Sequence, residues 1–168
     1  MTIFITSDHH FGHEMILRYE NRPFEDLAHM KNDLIVNWND AVGKNDIVWH
    51  LGDFSFLNSV ETEKILAQLK GQKHLIMGNH DRRRSMKWWR GAGFDTAINV
   101  PVIMEDGYIL SHEPFDVDDT HFFNIHGHLH SESHVLETEA DGRYFNVSVD
   151  VTNFAPVKFD YIKERLGK

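Results

Sequence analysis

The chain has 168 residues, 41% hydrophobic and 26% charged, with a formal net charge of −9. That is room for one domain with a real core and an ordinary soluble composition, while the acidic balance disfavours sequence-independent binding of long nucleic acid, which needs Lys and Arg against phosphate. There is no cysteine, which excludes disulfides and thiolate metal sites, so any metal must be held by the 13 histidines or by Asp, Glu or Asn.

Thr2 to Thr6 reads as a buried first strand, followed by Ser7-Asp8-His9-His10-Phe11-Gly12-His13. This opening lacks the basic start and long apolar region of a signal peptide, and no run reaches membrane-spanning length. A cytoplasmic location is expected, with no membrane partner. Asn21-Arg22-Pro23-Phe24 reads as a loop, because proline biases its predecessor away from helix. Leu27, Met30, Leu34, Ile35, Trp38 and Val42 recur at helical spacing and predict an amphipathic helix over Asp26 to Val42, stopped at Gly43. Asp46 to Leu51 is a second strand that ends in Gly52-Asp53. Asn58, with Glu61 three residues on, caps a helix that turns Ile65, Leu66 and Leu69 inward. His74 to Met77 is a third strand, delivering Gly78-Asn79-His80-Asp81, and Arg82 to Arg90 reads as a short basic helix ended by Gly91.

The second half is richer in strands. Thr96 to Met104 and Tyr108 to Ser111 flank Glu105-Asp106-Gly107, a hairpin turn signal, and the second of them ends in His112. Phe122 to Ile125 runs into His126-Gly127-His128-Leu129-His130. Val135 to Thr138 and Tyr144 to Val149 flank Asp141-Gly142 as a second hairpin. Pro156 to Phe159 reads as an edge strand before a short terminal helix. No repeat, low-complexity segment or linker divides the chain, so residues 1–168 read as a single domain. A βαβαβ half followed by a β-rich half implies two sheets face to face with helices outside them. Ligands in such folds gather beyond the carboxyl ends of strands, and Asp8, Asp53, Asn79, His112 and His128 all directly follow a predicted strand.

Asp8 and His10 lie two apart in extended backbone, which puts both side chains on one face; His128 and His130 repeat that spacing after Gly127. Singly, the first pair reads rather as a solvent-exposed polar loop, the second equally as a ligand pair or a loop, and Gly52-Asp53 as a common turn. Together, Asp8-x-His10, Gly52-Asp53, Gly78-Asn79-His80-Asp81, His112 and Gly127-His128-x-His130 stand in the order, and near the intervals, of the calcineurin-like metallophosphoesterase superfamily. The sequence resembles that superfamily over most of its length. It is most similar to the small single-domain bacterial and phage members that carry Ser-Asp-x-His-Phe-Gly-His and then Asn-Arg-Pro-Phe, here Ser7 to His13 and Asn21 to Phe24.

The resemblance implies an α/β fold, a four-layer αββα sandwich of two mixed β-sheets flanked by helices. It implies one divalent metal on Asp8, His10, Asp53 and His130 and a second on Asp53, Asn79, His112 and His128, with Asp53 and a water or hydroxide between them. Oxygen donors mixed with imidazole suit manganese, with iron or zinc as alternatives, better than magnesium. His80 is then the acid that protonates the leaving oxygen, and Asp81 the residue that orients it. The implied reaction is phosphoester hydrolysis by metal-activated hydroxide without a covalent intermediate.

One departure narrows the substrate. The protein-phosphatase branch continues its second block as Gly-Asp-x-x-Asp-Arg-Gly, whereas this chain reads Gly52-Asp53-Phe54-Ser55-Phe56-Leu57. The missing aspartate and arginine shift the expectation from a phosphoprotein to a small phosphodiester, nucleotide-like or cyclic; a phosphomonoesterase and a non-catalytic scaffold are the alternatives. The chain has no room for the capping region of the superfamily's DNA-repair nucleases. His13, Arg22 and Arg82 are the candidate substrate contacts, although Arg22 reads equally as the partner of a carboxylate. Trp88 and Trp89, amid Arg82, Arg83, Arg84, Lys87 and Arg90, read either as a stacking platform for a nucleotide or as part of an amphipathic helix. His9 reads as a donor behind the ligands or as a substrate contact. Small relatives also imply a homodimer.

Overall fold

The computed structural model describes residues 1–114, 116, 121–131 and 142–167. From β1 (Ile3–Thr6) the chain passes through α1 (Ile16–Tyr19) and α2 (Leu27–Ala41) to β2 (Ile47–His50), through α3 (Ser59–Leu66) to β3 (Gln72–Ile76), and through α4 (Met86–Ala92) to β4 (Thr96–Ile98). Each helical crossover returns to a parallel neighbour, the connection that parallel pairing requires: Ile3 sits opposite Ile47, Ile47 opposite Gln72, and His74 opposite Thr96. The caps anticipated from sequence are formed. Asp26 accepts from the His29 N–H at 2.8 Å to start α2, and Asn58 accepts from the Glu61 N–H at 3.0 Å to start α3.

The strand expected over Thr96 to Met104 is two strands in two sheets. Thr96–Ile98 pairs with β3, whereas β5 (Val102–Ile103) pairs antiparallel with β6 (Tyr108–Leu110) around the Glu105–Gly107 turn. Pro101 sits at the break, lacking the N–H a continuous ladder would need. β7 (Phe123–His126) and β8 (Tyr144–Asn146) then add in parallel, giving the order β5-β6-β7-β8. Finally β9 (Val157–Lys158) joins the first sheet antiparallel to β1, giving β4-β3-β2-β1-β9, and leads into α5 (Phe159–Leu166). Both sheets are therefore mixed, in the α/β class expected. The hairpin arm expected at Val135 to Thr138 lies outside the described residues.

Alternation along β1 separates two cores. Phe4 joins Val48 and Leu75 beneath Met30, Leu34 and Trp38 of α2, Ile65 and Leu66 of α3, and Trp89 of α4. Ile5 faces the other way, and with Leu51 and Ile76 it meets Tyr108, Leu110, Ile125 and Val147 of the second sheet. Phe159 and Ile162 of α5 pack into that second core.

The basic segment after β3 is not one helix. Asp81–Arg83 forms a single 3-10 turn, and α4 starts afresh at Ser85, which caps it, and closes at Gly93 with φ 125°. Trp89 is wholly buried, its indole N–H on the Asp81 carbonyl at 3.1 Å, and Trp88 lies under the Arg84 guanidinium. Trp89 is therefore a core residue with no face open to a base, while Trp88 is part-buried with Arg84 over its ring. Among the described residues no helix is long and apolar enough to cross a membrane.

Two residues of α2 give a direct check on this packing. Leu34 is fully buried and Val36 is 53% exposed on the same helix. Leu34→Ala should destabilise the fold by about 2–5 kcal/mol and Val36→Ala by about 0.5 kcal/mol or less, as read by urea unfolding.

Candidate metal centre

The strand ends converge where β1, β2, β3, β6 and β7 deliver their carboxyl-terminal residues. Asp8, His10, Asp53, His128 and His130 all have φ between 48° and 69°. The backbone at Asp8, His10, His128 and His130 is thus left-handed, not extended as their two-residue spacing suggests; it costs a non-glycine residue about 1–2 kcal/mol, and its concentration at candidate ligands is the pattern expected of a functional site. The loops also press against one another. A side chain at Gly78 would collide with the Asp53 carboxylate and come within 2.7 Å of its backbone nitrogen, so glycine here is a requirement of close approach.

Asp8 is wholly buried, and one of its oxygens is committed. Oδ2 accepts from the Ser7 hydroxyl at 2.6 Å, the Ser148 hydroxyl at 2.7 Å and the His128 N–H at 2.9 Å. Oδ1 has no hydrogen-bond partner and faces Nε2 of His10 at 3.8 Å and of His130 at 3.9 Å. His10 is buried too, with neither ring nitrogen hydrogen-bonded. Burial pushes His10 down to about 4, so at neutral pH the ring is uncharged and can donate a lone pair to a metal. Asp53 completes the cluster: Oδ1 accepts from the His80 N–H at 3.0 Å, while Oδ2 lies 3.6 Å from Nε2 of His10, 3.6 Å from Nε2 of His112 and 3.8 Å from Nε2 of His80.

These atoms fit a cation. Nitrogen and oxygen ligands lie about 2.0–2.2 Å from a divalent metal, which puts ligands of one ion roughly 3–4 Å from each other. Buried polar atoms without partners are otherwise costly. Burial, and then the charges of Asp8 and Asp81, push Asp53 up to about 8, the mark of a carboxylate short of positive charge.

A second set adjoins the first. His112 Nδ1 is 2.8 Å from the Leu51 carbonyl, which can only accept, so Nδ1 carries the proton and Nε2 the lone pair. That Nε2 lies 2.8 Å from Asn79 Oδ1 and 3.2 Å from His128 Nδ1. With the amide in this orientation, oxygen faces nitrogen lone pair to lone pair, an arrangement that a cation between them makes favourable. The structure thus brings together Asp8, His10, Asp53, Asn79, His112, His128 and His130.

Other candidates stand elsewhere. Arg22 is buried and makes no opening to substrate. Nε and Nη2 grip the two oxygens of Asp150 at 2.7 and 2.9 Å, and Nη2 and Nη1 donate to the carbonyls of Asp8 and His9 at 2.7 and 2.9 Å. The substrate assignment is replaced by a structural one, because every donor direction of the guanidinium is taken inside the protein. Asp81 does not orient His80 either. Its oxygens accept the backbone N–H groups of Asp53 at 2.6 Å, Gly78 at 3.0 Å and Phe54 at 3.1 Å, so it ties the second and third loops together. His80 is half-buried, its ring beside Phe56 and its Nδ1 without a partner. His13 stacks on Phe56 at 4.4 Å, at the rim, and Arg82 is exposed beside Asn99 and Glu113. His9 is wholly buried against His50 and reaches no ligand site.

Asp150 was not anticipated, although it follows the predicted strand Tyr144 to Val149 as the other candidates follow theirs. It accepts from His130 Nδ1 at 2.7 Å, which fixes the proton on Nδ1 and turns the Nε2 lone pair toward Asp8. A carboxylate behind a histidine ligand does this in many metal sites.

Fold and donor set together define a metal-dependent hydrolase of the α/β class. The chain belongs to the calcineurin-like phosphoesterases, whose family profile matches residues 1–161. It is 35% identical to an uncharacterized protein of Methanocaldococcus jannaschii, over 99% of this chain and 92% of that one. It is 31% identical to the gene 66 protein of Mycobacterium phage D29, over 98% and 96%. Among solved structures, a protein of unknown function from Aquifex aeolicus superposes with a TM-score of 0.75 at 23% identity, covering 97% of this chain and 98% of the other. The nuclease MPE of Pseudomonas putida gives 0.52 at 18% identity, covering 76% and 60%.

Because Asp150 orients His130, Asp150→Asn should lower affinity for Mn²⁺ by about 10–100-fold, and because it also unpairs the buried Arg22 charge, it should destabilise the fold by up to about 3–5 kcal/mol. Equilibrium dialysis of metal-stripped protein, with circular dichroism alongside, measures both.

Proposed function

We propose that the protein is a phosphodiesterase that works through two divalent cations, manganese first among them, on a small nucleotide-like or cyclic diester. The observation that carries this reading is Asp53 Oδ2, placed 3.6 Å from His10 Nε2 and 3.6 Å from His112 Nε2: one oxygen within reach of two donor sets. Asp8, His10, Asp53 and His130 would hold one cation, and Asp53, Asn79, His112 and His128 the other. Bound there, divalent cations supply positive charge against phosphoryl oxygens and lower the pKa of water from about 15.7 toward about 7.

The chain's own groups do the rest. The donors to Asp8 Oδ2 leave only Oδ1 to ligate, and the Asp150–His130 and Leu51–His112 contacts set each ring's tautomer. We assign to His80, half-buried with Nε2 3.8 Å from Asp53 Oδ2, the protonation of the leaving oxygen, a role worth about 10²–10⁴ in rate. A diester carries one negative charge where a monoester carries two, and Arg22, the buried candidate for a phosphate contact, is already held by Asp150 and backbone carbonyls. The rings of Phe56, His10 and His13 surround His80. A protein named as a nuclease shares the fold.

Metal-stripped protein should hydrolyse bis(p-nitrophenyl) phosphate only after Mn²⁺ is restored. Asp53→Asn should abolish the activity, and His80→Ala should lower kcat by about 10²–10⁴. A faster rate on p-nitrophenyl phosphate than on the diester would favour a monoesterase. No turnover with any divalent metal by folded protein would favour a scaffold.

A further inference from the structure

A cleft of about 170 Å³ opens against His112 where the first sheet parts from the second. Met77, Val100 and Pro101 give it apolar walls, and Val100 is 62% exposed, with nothing among the described residues covering it. Three polar side chains reach it from separate strand ends: Arg82 after β3, Asn99 after β4 and Glu113 after β6. Arg82 Nε donates to Asn99 Oδ1 at 2.9 Å, and Arg82 Nη1 lies 3.4 Å from Glu113 Oε1. Among the described residues this leaves Arg82 Nη2, the Asn99 amide N–H and the second Glu113 oxygen without hydrogen bonds, two kinds of donor beside an acceptor. Ser111 steadies the rim by donating to the Glu113 carbonyl at 2.7 Å. The inner wall is the His112 ring, whose far nitrogen is 3.6 Å from Asp53 Oδ2.

We propose that this cleft is a subsite for the organic group of the substrate, and that the group is a nucleobase. The inference rests on the phosphodiesterase reading. The volume is well under the ~300–1,000 Å³ of sites that enclose a whole drug-sized ligand, so it holds one ring system and not an entire nucleotide. Apolar walls take the faces of a flat ring, and the paired donor and acceptor groups match a base edge, which presents both. The shared His112 wall sets the ring one imidazole away from the phosphoryl position.

Two diesters with the same leaving group test this on Mn²⁺-loaded protein: thymidine 5′-(p-nitrophenyl phosphate) and methyl p-nitrophenyl phosphate. The nucleoside ester should be preferred by about tenfold in kcat/KM, through KM, the worth of one or two net hydrogen bonds. Arg82→Ala and Glu113→Gln should bring that ratio toward one, and Val100→Trp, which fills the cleft, should do the same by exclusion. Hydrolysis of both esters with no preference, or a preference that survives all three variants, overturns the subsite and leaves the phosphodiesterase reading standing. Failure to hydrolyse either ester overturns both.

Discussion

A single buried oxygen, Asp53 Oδ2, lies among the imidazole nitrogens of His10, His80 and His112 at 3.6–3.8 Å, and much of the chain serves to hold it there. Burial alone would drive the carboxyl to its neutral form, a poor ligand for any cation. Three backbone N–H groups on Asp81, one of them from Asp53 itself, fix the loop without touching that oxygen. Left-handed backbone at Asp8, His10, Asp53, His128 and His130 is the local cost, and five such residues together cost on the order of 5–10 kcal/mol. Buried hydrogen bonds around the loops offset part of it, and cations bound to the otherwise unpartnered donors would offset more.

The sheets explain how residues so far apart in sequence reach one place. Parallel β1, β2 and β3 must all point their carboxyl ends the same way, and helical crossovers on one face keep them adjacent. The second sheet brings β6 and β7 against the opposite face through Ile5, Leu51, Ile76, Tyr108 and Leu110. Its strand ends are thereby levelled with those of the first. The rigid core is apolar and the chemistry stands on the loops at its rim, the usual division of labour in α/β proteins.

What the sequence made legible follows from this. Apolar runs ending in Asp, Asn or His mark strand ends, so the convergence of Asp8, Asp53, Asn79, His112 and His128 could be read from pattern alone. Caps at Asp26 and Asn58 are local signals and were equally readable. Arg22 and Asp81 were not, because pattern gives a residue's place along the chain and not the partner that meets it there. Arg22 meets Asp150 across 128 positions, and Asp81 turns to backbone N–H groups instead of the adjacent His80. Asp150 carried the same strand-end signal as the others but lacked a second metal-binding residue beside it. The Thr96 to Met104 run looks continuous because apolar residues flank Pro101 on both sides.

The contacts behind Asp8 and His130 also bear on the order in which the protein matures. Ser148 and Asp150 come after all seven candidate ligands in sequence, yet they orient the first and the last of them. A nascent chain that has emerged only as far as His130 would display every donor with none of this orientation. The candidate ligands are therefore fully oriented only once β8 and the turn that follows it are complete, after most of the chain has been made.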